Sequence, residues 1–277
     1  MRTIRLPSGR SIPALGMGTW RMGEAASQRP TEVAALQHGL NLGITLIDTA
    51  EMYGEGGAET VIAEAIADRR SSAFLVSKVY PHNASGQGAI ASCERSLRRL
   101  KTDYLDLYLL HWRGSVPLSE TLEAFQTLKQ AGKIRDYGVS NFDVADMKQA
   151  VALPGGEAIA TNQVLYNLMR RGVEWDLLPW CRQQSIPIMA YSPVEQGRLL
   201  QHRTLQTIAQ QKNVTPAQIA IAWLLHQENV IVIPKSSSIA HVEENRATLE
   251  LQLTPEDLQA LDAAFPAPTK RVSLEML

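Results

Sequence analysis

The apolar residues of this chain fall into short runs separated by amphipathic stretches, and that alternation predicts its architecture. Seven runs read as strands: Ile44–Ala50, Phe74–Val79, Tyr104–His111, Ile134–Ser140, Ala160–Tyr166, Ile186–Tyr191 and Val230–Ile233. An eighth, around Leu15–Thr19, precedes them. Most are continuous rather than alternating, the pattern of strands buried on both faces. Helical spacing marks the segments between them, such as Thr31–Leu42, Glu59–Ala67, Gly88–Leu100, Leu118–Ala131 and Pro216–His226. Such alternation predicts a parallel sheet with crossover helices. Ahead of the repeat, Thr3–Leu6, a Pro-Ser-Gly turn and Ser11–Ala14 form a hairpin pattern.

A polar or small residue closes each strand: Gly18, Asp48, Lys78, His111, Ser140, Gln163, Ser192 and Lys235. Their spacing is roughly 30 residues, the length of one βα unit. The last interval is longer and holds an extra segment, Glu195–Lys212. Eight units predict an α/β fold of the (β/α)8 TIM-barrel type, a single domain over residues 1–277. The N-terminal hairpin is expected to close the barrel bottom, with extra helical segments near the C-terminus. The strand C-termini then share one rim, where barrel enzymes perform their chemistry. Loops are polar in any fold, but that does not explain an Asp, a Lys and a His after buried strands. Ionisable groups there need partners.

Composition narrows the classes. Of 277 residues, 45% are apolar and 20% charged, which excludes disorder. No run approaches the ~18 apolar residues of a membrane helix, and Met1–Ser8 has no apolar signal-peptide core. Lys and Arg total 27 against 28 Asp and Glu, without the basic excess of a nucleic-acid binder. The basic run Arg95, Arg98, Arg99 and Lys101 reads as a solvated helix face. Two cysteines, Cys93 and Cys181, cannot build a disulfide framework or a four-cysteine zinc site. A cytoplasmic protein without metal, membrane or nucleic-acid partners is expected.

The chemistry-bearing residues are Asp48, Tyr53, Lys78 and His111, from neighbouring positions around the rim. A tyrosine near its ordinary pKa of about 10 is a poor proton donor at neutral pH. An ammonium on Lys78 is expected to lower it, with Asp48 keeping that ammonium charged. His111 would hydrogen-bond a carbonyl oxygen and fix its direction. At the far end, Lys235 with Ser236, Ser237 and Ser238 precedes a helix and forms an anion cradle. Serines there also serve as helix caps.

In these motifs the sequence resembles the aldo-keto reductase superfamily, from Gly16-Met17-Gly18-Thr19-Trp20 to Asn245. The matching stretches are Asp48-Thr49-Ala50 with Tyr53, Val76-Ser77-Lys78, Leu110-His111-Trp112 and Gly138-Val139-Ser140-Asn141-Phe142. They continue with Asn162-Gln163, Tyr191-Ser192-Pro193 and Ile233-Pro234-Lys235-Ser236. The resemblance implies a catalytic tetrad of Asp48, Tyr53, Lys78 and His111, with Tyr53 donating a proton as NADPH delivers hydride to a carbonyl. It implies that Ser140, Asn141 and Gln163 hold the nicotinamide carboxamide, that Tyr191 stacks on the ring and that Ser192 meets the pyrophosphate. Gly18, Thr19, Trp20 and Asp48 would border the cofactor. Lys235, Ser236 and Ser238 match positions at the adenosine 2′-phosphate, with Glu244 and Asn245 near the adenine. His241 stands where many members carry an arginine, which weakens the expected preference for NADPH over NADH.

The same resemblance implies a substrate pocket lined by Trp20, Met52, Tyr80, His111 and Trp112. A short Trp112–Leu118 loop and the little chain after Phe265 suggest an open pocket for small aldehydes or α-oxoaldehydes such as methylglyoxal. A monomer is expected. The rival readings are a Schiff-base enzyme acting through Lys78 and a non-catalytic NADPH-binding sensor.

Overall fold

The computed structural model describes residues 2–277. A two-stranded antiparallel hairpin, β1 (Thr3–Arg5) and β2 (Ser11–Pro13), comes first. The barrel strands follow: β3 (Gly16–Gly18), β4 (Leu46–Asp48), β5 (Phe74–Val79), β6 (Leu105–Leu110), β7 (Ile134–Ser140), β8 (Ile159–Leu165), β9 (Ile188–Tyr191) and β10 (Val230–Val232). Neighbours in this order pair in parallel throughout. Every residue of β5, β6 and β8 is buried, as their continuous apolar runs predict.

The two end strands meet at a seam. Leu15 bridges Val232 and Gly18 bridges Lys235, both in parallel. The Val232 and Gly18 amides donate to the carbonyls of Ala14 and Pro234 at 2.8 and 2.9 Å. The hairpin lies at the N-terminal ends of the strands: Arg10 pairs with Asp106 near the start of β6 and with buried Asp136 low on β7. It caps the barrel bottom, as expected, and leaves the opposite rim free for the site.

Helices α1 (Arg29–Asn41), α2 (Gly57–Ala65), α3 (Gly86–Leu100), α4 (Leu118–Gln130), α5 (Val144–Val151) and α6 (Leu177–Gln183) connect successive strands. After β9 come a 3-10 segment (Glu195–Gln201), α7 (Arg203–Lys212) and α8 (Pro216–His226). After β10 come α9 (Ile239–Ala247) and α10 (Pro255–Ala264). Thus α7 and α10 are the extra helices; Lys212 pairs with Asp257 across them at 2.7 Å. Thr215 and Thr254 close capping boxes ahead of prolines at the first helical position of α8 and α10.

Of the basic run at the end of α3, Arg98 and Lys101 are exposed as expected, but two members turn to buried carboxylates. Arg99 reaches inward to Glu59 at 2.5 Å and Arg95 to Glu51 at 3.4 Å. Both carboxylates are buried, and a buried charge recruits the nearest cation.

Between β7 and β8 the register shifts at Gly138. A Cβ there would sit 2.5 Å from the Thr161 carbonyl oxygen, a backbone atom that cannot swing aside. Gly138→Ala is expected to destabilise the protein by about 1–3 kcal/mol through overpacking. A urea midpoint matching that of the unsubstituted protein would refute this.

Candidate active site

Three strand ends bring the predicted quartet together. Asp48 ends β4 and Lys78 lies near the end of β5; His111 follows β6, and Tyr53 opens a short 3-10 turn beyond β4. The Lys78 ammonium is fully buried and donates to Asp48 Oδ2 at 2.8 Å and to the Thr49 carbonyl at 2.7 Å. The other Asp48 oxygen accepts from Gln163 Nε2 at 2.8 Å. Lys78 Nζ lies 5.1 Å from the centre of the Tyr53 ring. His111 stands edge-on to that ring at 5.9 Å.

Burial sets the protonation states. It pushes the Tyr53 phenol well above its ordinary range, and the Asp48 and Tyr191 groups raise it further. The expected lowering by Lys78 is therefore outweighed, because that ammonium is engaged by Asp48 and Thr49. Burial also lowers Lys78, opposed by Asp48. His111 is pushed down to about 2 by burial and by the Lys78 charge. The site thus presents a protonated phenol and a neutral imidazole.

Asp48, Tyr53 and His111 line a cleft of about 660 Å³. Trp20, Met52, His111 and Trp112 line it near Tyr53. Gly18, Thr19, Ser140, Asn141, Gln163, Tyr191, Ser192 and Lys235 line it as well. The polar members are bonded to one another. Ser140 Oγ donates to the Gln163 carbonyl at 2.8 Å, Asn141 Nδ2 to the His111 carbonyl at 3.1 Å and Tyr191 Oη to Asn141 Oδ1 at 3.1 Å. Asn141 and Ser192 hold left-handed backbone, φ 59° and 50°, which Asn tolerates better than most residues.

The remaining predicted residues lie off the cleft. Lys78 is sealed beneath it. Tyr80 stands behind the wall, edge-on to Trp112 at 5.6 Å and 6.5 Å from His111. Ser236 and Ser238 shape the turn into α9, where the Ser238 amide donates to Ser236 Oγ at 3.0 Å. His241 is exposed on the first turn of α9, Glu244 is half-buried and Asn245 is buried.

Several cleft residues escaped the sequence reading. Arg21, with φ 64°, stacks on Trp20 at 4.4 Å, and Gln196 also lines the cleft, as do Met276 and Leu277. The segment after Phe265 bends back over the rim instead of leaving it open. Arg271 pairs with Asp143 and Asp176, Glu275 pairs with Arg170, and the Leu277 amide donates to Tyr191 Oη at 3.4 Å. No sequence signal marks these long-range contacts.

The donor set fits a nicotinamide dinucleotide. Amide and hydroxyl groups of Ser140, Asn141 and Gln163 with the flat Tyr191 ring suit a planar carboxamide, and Arg21 and Lys235 suit phosphates. No group of three or more metal-ligating side chains occurs among the described residues. No helix there is long and apolar enough to cross a membrane.

Comparison with known proteins agrees with this geometry. A model described as the aldo/keto reductase family matches residues 14–265. The chain is 55% identical over 281 residues to methylglyoxal reductase YeaE of Escherichia coli strain K12, covering 100% of this chain and 99% of that one. It is 34% identical over 262 residues to glyoxal reductase of Bacillus subtilis strain 168, covering 94% and 92%. A crystal structure of an aldo-keto reductase from Klebsiella pneumoniae in complex with NADPH superposes with a TM-score of 0.97 at 50% identity, covering 100% and 99%.

Two outcomes are expected of the site itself. Asp48→Asn strands a buried ammonium and should destabilise the protein by about 3–5 kcal/mol in urea unfolding. The His111 ring nitrogens should show no titration by NMR between about pH 5 and pH 8; a midpoint near 6.5 would contradict the burial argument.

Proposed function

The chain belongs to the aldo/keto reductase family, and we propose that it reduces small aldehydes and α-oxoaldehydes such as methylglyoxal to alcohols with NADPH. The observation that carries this reading is a protonated Tyr53, backed by the Lys78–Asp48 pair and flanked by neutral His111, in the wall of a cleft shared with Ser140, Asn141, Gln163 and Tyr191. When bound, NADPH supplies the hydride that adds to the carbonyl carbon.

The chain supplies direction and the proton. His111, neutral throughout the working pH range, offers an N–H to the carbonyl oxygen and does not compete as an acid. As negative charge develops on that oxygen, the Tyr53 O–H bond breaks and its proton completes the alcohol. The phenolate left behind has the Lys78 ammonium as its nearby cation, with Nζ 5.1 Å from the centre of the ring, an attraction strengthened by exclusion of water. Solvent then returns the proton to Tyr53. This assigns the cation its role after proton transfer, where the charge exists, rather than before it.

The substrate end is apolar and narrow: Trp20, Met52 and Trp112 with Met276 and Leu277. It suits a short carbonyl compound. Ser140, Asn141 and Gln163 would hold the carboxamide, with Tyr191 against the ring. Lys235, Ser236, Ser238 and His241 would meet the 2′-phosphate, with Glu244 and Asn245 toward the adenine. An imidazole at position 241 offers less than a guanidinium fork, so NADH is expected to serve as a usable though weaker donor. The reading includes a cytoplasmic monomer, checked by sizing chromatography and cell fractionation.

The test is NADPH oxidation with methylglyoxal and a panel of short aldehydes. Tyr53→Phe is expected to lower kcat by about a hundredfold to ten-thousandfold, the usual scale for losing a general acid. NADPH affinity, read by fluorescence quenching, should stay unchanged. Binding without oxidation by the unsubstituted protein would favour a sensor instead.

A further inference from the structure

The chemistry above leaves one buried carboxylate unused. Glu195, at the start of the 3-10 segment after β9, has no exposed surface. It accepts from Asn167 Nδ2 at 2.8 Å, from Arg170 Nε and Nη2 at 3.0 Å each, and from Arg198 Nη2 at 3.0 Å. Burial would raise its carboxyl; these bonds outweigh burial and lower it. It is a charged anchor.

What it anchors is strained. Ser192, Glu195 and Gln196 hold φ of 50°, 51° and 55°, a backbone region that non-glycine residues keep only where their surroundings impose it. Asn167 Nδ2 also donates to the Ser192 carbonyl at 2.9 Å. Ser192, Gln196 and Gly197 of this loop line the cleft. The remaining arm of Arg170, Nη1, meets Glu275 at 2.5 Å. The next two residues, Met276 and Leu277, line the same cleft. One guanidinium therefore ties the strained loop to the tail, using a two-sided planar fork that a lysine cannot reproduce. The tail's other ion pairs, from Arg271, are solvent-exposed and hold weakly. Leu274 packs against the core, so breaking the tie would loosen the tail's end rather than release it.

We propose that Arg170 is a positioning residue that joins the 192–197 loop to the 271–277 tail, so that ordering of the loop by cofactor orders the substrate-side wall. This rests on the NADPH-dependent reading above for the identity of the ligand. Such coupling is a linkage between two ligands through shared order.

Hydrogen–deuterium exchange tests it in the full chain, with and without saturating NADPH. Without cofactor, Arg170→Gln should speed exchange in both the 192–201 loop and the 268–277 tail, and Glu275→Gln in the tail alone. With NADPH, the tail should gain protection in the unsubstituted protein, while in Arg170→Gln only the loop should. In steady state, each single substitution should raise the methylglyoxal KM by roughly threefold to tenfold with kcat little changed, and the double variant should add nothing further. Arg170→Lys, which cannot hold both carboxylates at once, should leave the methylglyoxal KM raised as in Arg170→Gln. Equal tail protection by NADPH in Arg170→Gln, or KM effects that multiply in the double variant, would overturn the proposal. Glu275→Gln, at a half-exposed position, carries the test if Arg170→Gln does not fold: an unchanged tail exchange rate would overturn it alone. If the unsubstituted protein binds NADPH and reduces no aldehyde, the reductase reading falls, while the exchange experiments still decide the role of Arg170.

Discussion

The buried pair of Lys78 and Asp48 is the constraint on which the cleft depends. Withdrawing two charges from water is costly, and only close geometry with every lone pair occupied offsets it. Here both Asp48 oxygens are taken, one by Lys78 and one by Gln163. The ammonium has the Thr49 carbonyl as a second acceptor. The pair thereby links β4, β5 and β8 across the barrel interior, fixing the relative positions of groups that belong to distant parts of the chain. Tyr53, carried on the turn just after β4, inherits its place beside the cation from this arrangement.

The same burial that makes the pair expensive sets the proton inventory. A naive reading places an ammonium next to a phenol and concludes that the phenol becomes more acidic. In the structure desolvation dominates, and the ammonium is already satisfied by Asp48. Tyr53 stays protonated and His111 stays neutral. The cleft is thus arranged for charge that exists only while a carbonyl is being reduced, which is the condition for stabilising a transition state more than a ground state.

Much of this was legible in the sequence, because it is written locally. Apolar runs of strand length and polar residues one βα unit apart place Asp48, Lys78, His111, Ser140, Gln163 and Lys235 on a shared rim without any long-range information. What was not legible depends on partners distant in sequence. Arg95 and Arg99 look like solvated helix charges until Glu51 and Glu59 are seen buried beneath them. Tyr80 has the look of a pocket aromatic, yet it packs edge-on against Trp112 outside the cleft lining. The return of the tail to the rim depends on Arg170, whose partners Glu195 and Glu275 share no motif with it.

The seam has a consequence for how the protein is made. Leu15 bridges Val232, and Gly18 bridges Lys235, so the barrel joins its first strand to its last. Contacts of such high contact order form slowly, since a large loop must close before they stabilise anything. During synthesis the first strands emerge well ahead of β10 and wait with a free edge, the condition under which nascent chains aggregate or recruit chaperones. Gly18 and Lys235 both border the cleft. The binding site therefore cannot form before the late step that closes the barrel, and the tail residues Met276 and Leu277 join it only after that.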